Sequence, residues 1–297
     1  MKKLITICSA IVLFGTGYAR AGTWTTLDYP GATATLPQGI SGNNIVGLYR
    51  DSSGGTHGFL YDGANWTTLD MPGTTWTIMK GISGGNLVGV YGNSSGGDHG
   101  FLYNGTSWTA LNHSGAWQTG VGGISGNSIV GYYSSDGSYD AHGFIYNETI
   151  WTTIDYPEAV WTNPQGISGN SIVGYYGAGD SYISHGFLYN GTSWTTLDYP
   201  GAVWTDPLGI SGNSIVGYYE YSPYNSAHGF LYNGTSWTTL DYPGAEYTYL
   251  QGISGNSIVG YYDDSSGYEH GFLYTTPEPA TLLLLGLGAV MLRRKRS

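Results

Sequence analysis

Short apolar runs recur along the chain at a constant beat, and none of them has the period of a helix. Ile-Val-Gly-Tyr-Tyr and Phe-Leu-Tyr join β-branched to aromatic residues and are bounded by Ser-Gly-Asn and Asn-Gly, which tolerate the positive φ of hairpin turns. Trp-Thr-Thr-Leu-Asp-Tyr alternates along a third run. That run ends at Tyr-Pro in four copies and at Met71-Pro72 in another, where proline cannot continue a ladder. With Thr-x-Pro-Gln-Gly-Ile-Ser as a further strand, the pattern predicts four strands per unit.

The unit occurs six times. The isoleucine of Gly-Ile-Ser-Gly stands at 40, 82, 124, 167, 210 and 253, spaced by 42 or 43 residues. His-Gly-Phe keeps the same beat at His57, His99, His142, His185, His228 and His270, as does Trp-Thr from Trp24 to Trp237. Four strands in such a unit match the length of a propeller blade. The phase predicts how the ring closes. If Thr-x-Pro-Gln-Gly-Ile-Ser is innermost, the repeats begin on an outermost strand at Trp24–Tyr29 and end on a third strand at His270–Tyr274. Together these leftovers make one complete blade and remove two exposed sheet edges. The expectation is an all-β, six-bladed β-propeller of four-stranded antiparallel blades, closed by the N-terminal strand completing the last blade. An open solenoid would need capping units, which the sequence does not contain.

Composition agrees with this class and adds a charge argument. The chain has 50 Gly, 28 Tyr and 10 Trp, and only 10% of it is charged, so it lacks the material for many surface helices. Seven of the nine basic residues lie at the two ends. Arg50 and Lys80 alone face nineteen acids between residues 22 and 276, a net of −17. Such a surface repels phosphate backbones and excludes nucleic acid as an expected partner.

The two ends read as export signals. Lys2 and Lys3, the apolar stretch Leu4–Gly15 and the small-x-small site Ala19-Arg20-Ala21 predict a secretory signal peptide over 1–21. Cys8, the only cysteine, falls inside it, so the mature protein is expected to hold no disulfide or thiolate metal site. At the other end Pro277-Glu278-Pro279 precedes the apolar run Ala280–Leu292 and the basic cluster Arg293, Arg294, Lys295 and Arg296. As a helix of about 1.5 Å per residue, that run falls short of a hydrocarbon core of about 30 Å. Transient inner-membrane anchoring, with the basic cluster on the cytoplasmic side, is the expectation.

In motif, apolar segment and basic tail, residues 276–297 closely resemble the PEP-CTERM sorting signal of Gram-negative bacteria. The resemblance implies processing near Pro-Glu-Pro by an exosortase-type enzyme and a setting of exopolysaccharide and biofilm production. Between the ends, residues 22–275 form the six-repeat unit. Its late Trp is similar to kelch propellers, and His-Gly-Phe-Leu-Tyr resembles extracellular HAF-type repeats, with Gly in place of their Ala. This second resemblance implies a fold and no activity.

A residue present in every blade builds blades, whereas a site breaks symmetry. The six repeat histidines are therefore expected to hydrogen-bond to Thr or Asp of a neighbouring strand, not to bind a metal. Asp28, Asp70, Asp155, Asp198 and Asp241, with Asn112 in the third copy, are expected in Asx-turns. Asn-Gly-Thr at Asn104, Asn190 and Asn233 reads as a hairpin turn. The links from outer to inner strand do vary, reading Ala34, Trp76, Gln118, Trp161, Trp204 and Tyr247, with Trp117 one place earlier. Trp76, Trp117, Trp161, Trp204 and Tyr247 are the candidate binding face, suited to stacking on sugars with acids such as Asp206 and Glu246 nearby. The other reading has these rings packed onto the adjacent blade.

No cofactor is expected. Acidic loop residues leave Ca²⁺ open, without an EF-hand or nonapeptide loop. Phosphate loop and HExxH are absent from the sequence, and the repeat pattern predicts no strand-to-helix turn that could serve as a nucleophile elbow. The expectation is a non-catalytic protein of the cell envelope or extracellular matrix that binds exopolysaccharide or another matrix protein. A purely structural matrix protein is one alternative. The other is a glycan-cleaving hydrolase or lyase using the symmetry-breaking Arg50, Lys80 and His113.

Overall fold

The computed structural model describes residues 22–94, 96–136, 140–178, 183–222 and 226–276. The signal over 1–21 and the elements from Pro277 to Arg296 lie outside the described residues. Six four-stranded antiparallel sheets follow one another around a ring. Blade 1 runs outward through Ala34–Ser41, Asn44–Arg50, Thr56–Tyr61 and Trp66–Thr68. Blades 2 to 5 repeat this order from inner strands Trp76–Ser83, Gln118–Ser125, Trp161–Ser168 and Trp204–Ser211. Blade 6 is built from Tyr247–Ser254, Ser257–Asp263 and Glu269–Thr275, and its outer strand is Thr23–Leu27 from the other end of the chain. Thr23 pairs with Thr275 and Leu27 with Gly271, so the ring closes as the phase predicted.

The core lies between blades. Phe59, Phe101, Phe144, Phe187, Phe230 and Phe272 of the His-Gly-Phe strands are fully buried, each worth about 1.5–3 kcal/mol on burial. Around the axis the inner strands touch backbone to backbone. A Cβ on Gly39 would stand 2.9 Å from the Lys80 carbonyl oxygen, and one on Gly252 would stand 3.1 Å from the Gly39 Cα. This contact explains the glycine of every Gly-Ile-Ser.

The Asp of each outer strand does something other than the expected Asx-turn. Asp198 accepts from the His185 Nδ1 at 2.9 Å and from the Gly186 N–H at 3.0 Å, tying the end of the outer strand to the start of the third. Asp70, Asp155, Asp241 and Asp28 make the same clamp. Asn112 meets only the histidine, His99, at 3.3 Å. This fixes His-Gly as a pair, because the histidine supplies a side-chain donor and the next residue a backbone N–H.

The tyrosine of each Asp-Tyr-Pro step crosses to the next blade. Tyr199 stacks on Tyr219 with ring centroids 3.7 Å apart, and both hydroxyls meet the Thr239 hydroxyl, at 2.8 and 3.0 Å. Tyr29 on Tyr49, Tyr156 on Tyr176 and Tyr242 on Tyr262 repeat the stack, and His113 takes the place of the first ring against Tyr133. The Trp of Trp-Thr packs edge-on beneath it, as Trp237 does against Tyr199 and Phe230.

Candidate functional site

Antiparallel order places the blade-to-blade links and the loops before His-Gly-Phe on one face, here the upper face. Each link is pinned to the end of the second strand, as in Thr33 N–H to the Arg50 carbonyl at 2.8 Å. The lower face carries the turns. Asn104 Oδ1 accepts from the N–H groups of Thr106 and Ser107, and Asn190 and Asn233 repeat it. Serines of the inner hairpins link blade to blade, for example Gly126 N–H to Ser83 Oγ at 3.0 Å. The lower face is nearly uniform around the ring, and the variation is above.

The five aromatic candidates all sit on the upper face in different settings. Trp76 and Trp161 are half-buried and lie over glycines of their own blades. A Cβ on Gly92 would stand 2.1 Å from the Trp76 Nε1, and one on Gly177 would stand 2.3 Å from the Trp161 ring. Trp204 and Tyr247, also half-buried, pair in register with Glu220 and Asp263. Trp117 is 48% exposed beside Gly96 and Gly97. Of the five, Trp76 reaches the wall of the central cavity.

That cavity, of about 410 Å³, opens on the axis and is lined by Trp76, by the Gln of Gln-Gly-Ile-Ser in three blades, by the first Tyr of Ile-Val-Gly-Tyr-Tyr in four, and by variable strand residues between them. Two residues beyond the column Ala34, Trp76, Gln118, Trp161, Trp204 and Tyr247, the inner strand faces the second strand in a cross-strand pair. The six pairs are Leu36 with Leu48, Ile78 with Val90, Gly120 with Tyr132, Asn163 with Tyr175, Asp206 with Tyr218, and Tyr249 with Tyr261. They change from blade to blade while their neighbours along both strands stay nearly constant. One side of the cavity is thus aliphatic and the other carries phenols and amides.

A β-bulge in every inner strand supplies the floor. The register skips Gln38, Lys80, Gly122, Gln165, Leu208 and Gln251, which point at the axis where the cavity narrows. Lys80 Nζ donates to Gln38 Oε1 at 3.0 Å. Burial lowers the Lys80 ammonium from the usual lysine value, and the Asp98 carboxylate opposes the shift. Asp98 is itself raised by burial, with Lys80 opposing.

Asn163 Nδ2 donates to the Tyr175 oxygen at 3.1 Å, and Gln165 Nε2 donates to Asn163 Oδ1 at 2.7 Å. Tyr218 O–H donates to Asp206 at 2.7 Å, and Ser184 O–H donates to the other oxygen at 2.5 Å. Burial raises Asp206 against those two bonds and pushes the Tyr175, Tyr218 and Tyr261 hydroxyls far above the usual phenol range. The phenols of the wall are therefore neutral at any ordinary pH.

Arg50, Lys80 and His113 occupy three separate places. Arg50 pairs with Glu269 across the junction of blades 1 and 6, Lys80 is at the cavity floor, and His113 is stacked between blades. Burial raises the Asp263 carboxyl, and Glu269, Glu246 and Asp264 add to the shift. Among the described residues, no group of three or more His, Cys, Asp or Glu is placed to hold a metal ion.

The family model of the PEP-CTERM protein-sorting motif matches residues 275–296. The chain carries a PEP-CTERM sorting motif. That motif marks an exported protein sorted by an exosortase. No curated protein matches the chain.

Solved structures similar to the propeller include SapL1 lectin in complex with alpha methyl fucoside. It shares 14% identity over 83% of this chain and 96% of its own, with a TM-score of 0.53. The β-propeller domain of the Trilobed protease from Pyrococcus furiosus, with an open velcro topology, is 9% identical over 84% and 94%, at 0.51. The putative TolB from Agrobacterium tumefaciens is 15% identical over 82% and 90%, at 0.54. At such identities the likeness is one of fold.

Proposed function

We propose that this PEP-CTERM protein is a non-catalytic binding module of the cell envelope or extracellular matrix, taking carbohydrate through its upper face. The observation that carries the reading is the contrast between the faces. The lower face repeats one set of turns, whereas the upper face gathers exposed aromatic surface and a cavity whose lining differs in every blade. Phenols, amides and aliphatic groups together suit hydroxyl-rich ligands with apolar C–H faces. Trp76, Trp117, Trp161, Trp204 and Tyr247 then form the rim on which a glycan chain lies.

The N-terminal signal starts export, the C-terminal segment anchors the precursor in the inner membrane, and an exosortase acts near Pro277-Glu278-Pro279. Affinity electrophoresis through gels containing purified exopolysaccharides tests the binding. The expected result is retardation without release of reducing ends. Reducing-end release would replace the reading with a hydrolase or lyase, and free migration in every gel would remove it. Intact mass of the secreted protein tests the sorting, since a mature chain that still contains Ala280–Ser297 contradicts processing at Pro-Glu-Pro.

A further inference from the structure

We infer that the central cavity is a socket for the terminal neutral pyranose of a glycan chain, entered end-on; the inference rests on the carbohydrate-binding reading above. The lining divides as a pyranose does. Leu36, Leu48, Ile78 and Val90 make one continuous aliphatic side from blades 1 and 2, against which a C–H face can lie. Tyr132, Tyr175, Asn163 and Gln165 make the opposite side from blades 3 and 4.

Hydrogen bonds already within that wall leave a mixed set of groups. The Tyr175 oxygen accepts from Asn163, so its proton is left to donate, and Gln165, having donated to Asn163, presents its carbonyl. A donor beside an acceptor suits a hydroxyl, which needs both. An aliphatic ligand would leave the two groups unpaired at a cost.

Charge selects against an anion. Lys80 is the single cation in the lining and already interacts with Asp98, while the phenols opposite are neutral. Shape makes the recognition end-on. The bulged ring narrows the axis at the floor, with Lys80 bonded to Gln38 across two blades, and the space falls from about 410 Å³ above it to about 80 Å³ below. A chain end enters such a cup, and an internal stretch of glycan passes over it along the rim.

The test titrates purified full-length protein in detergent with methyl pyranosides of the common neutral hexoses and deoxyhexoses, with methyl glucuronide, and with polysaccharide. Calorimetry is the readout. At least one neutral methyl pyranoside is expected to bind. Tyr175→Phe, which removes a single oxygen, weakens it about tenfold. Ile78→Phe, which fills the aliphatic side, abolishes it, and Ile150→Ala, at an exposed residue of a lower-face turn, changes it by less than about twofold.

Tighter binding of the glucuronide than of any neutral probe overturns the neutral class. Polysaccharide binding that Trp117→Ala removes and both cavity variants retain overturns the socket while leaving the binding face intact. Absence of binding to every probe overturns both. Near-UV circular dichroism of each variant confirms the native packing, and if Ile78→Phe loses that packing, the affinity of Tyr175→Phe alone decides the outcome.

Discussion

Asp28 and His270 stand 242 positions apart in the chain and meet at 2.9 Å across the junction that closes the ring. The same carboxylate takes the Gly271 N–H at 3.3 Å, and two positions earlier Thr26 meets the Tyr242 hydroxyl at 2.9 Å. Other blades hold this clamp between strands joined by a short turn. In the sixth it joins the two ends of the propeller.

Asp28→Ala removes both bonds at the closure and is expected to lower stability by about 1–3 kcal/mol. Asp198→Ala, which deletes the identical clamp inside blade 4, lowers it by a similar amount. Urea unfolding with matched m-values checks both. A neutral Asp28→Ala would mean that strand pairing alone closes the ring.

Blade 2 lacks the inter-blade trio. Met71 stands where four blades receive a tyrosine and blade 3 receives His113, and Ala110 stands where the other blades have the threonine that meets the tyrosine hydroxyls, while Tyr91 is present and buried. Met71→Tyr with Ala110→Thr restores a stack and its hydrogen bonds and is expected to stabilise the protein by about 1 kcal/mol. Met71→Tyr alone gains less, and thermal denaturation of the two variants separates the contributions.

Glu158 and Glu148 occupy the left-handed region at φ 64° and 66°, where the matching turns of other blades have glycine, such as Gly201 at 82° and Gly191 at 94°. A non-glycine residue there costs about 1–2 kcal/mol, part of which glycine returns as chain entropy. Glu158→Gly is therefore expected to raise the melting temperature by about 2 °C. A drop would show that the Glu158 side chain makes compensating contacts.

The Asp70 carboxylate raises the His57 imidazole above its ordinary value, against the effect of burial, and Asp51 adds to the rise. A histidine raised on folding stabilises fully below its unfolded value of about 6.5, and the gain is lost as pH rises through the folded value. Asp70→Asn removes the charge that causes the shift. The melting-temperature gap between wild type and Asp70→Asn is expected to be wider at about pH 5.5 than at about pH 8.5. An equal gap at both would assign Asp70 a purely neutral hydrogen-bonding role.

The ring was legible because every blade repeats the same turn residues at the same spacing, and the phase of Trp24 and His270 placed the closure. The clamp was half legible. A histidine with a polar partner was readable from recurrence, but the fixed step of 13 residues from His57 to Asp70 shows its meaning only once the third and outer strands lie side by side. The cavity was hidden by a choice of column. Trp76, Trp161 and Trp204 stand out in the sequence because they are large. Asn163 and Tyr175 are ordinary residues in separate strands that become a lining only through their register. Comparing variable columns in strand pairs would have found them.

The most direct test of the binding account is saturation-transfer NMR of a methyl pyranoside that binds the wild-type protein. The strongest saturation is expected for the protons on one C–H face of the sugar, packed against Leu48 and Ile78, with loss of the signal in Ile78→Phe. Saturation that survives in Ile78→Phe, or that favours no face of the ring, would contradict it.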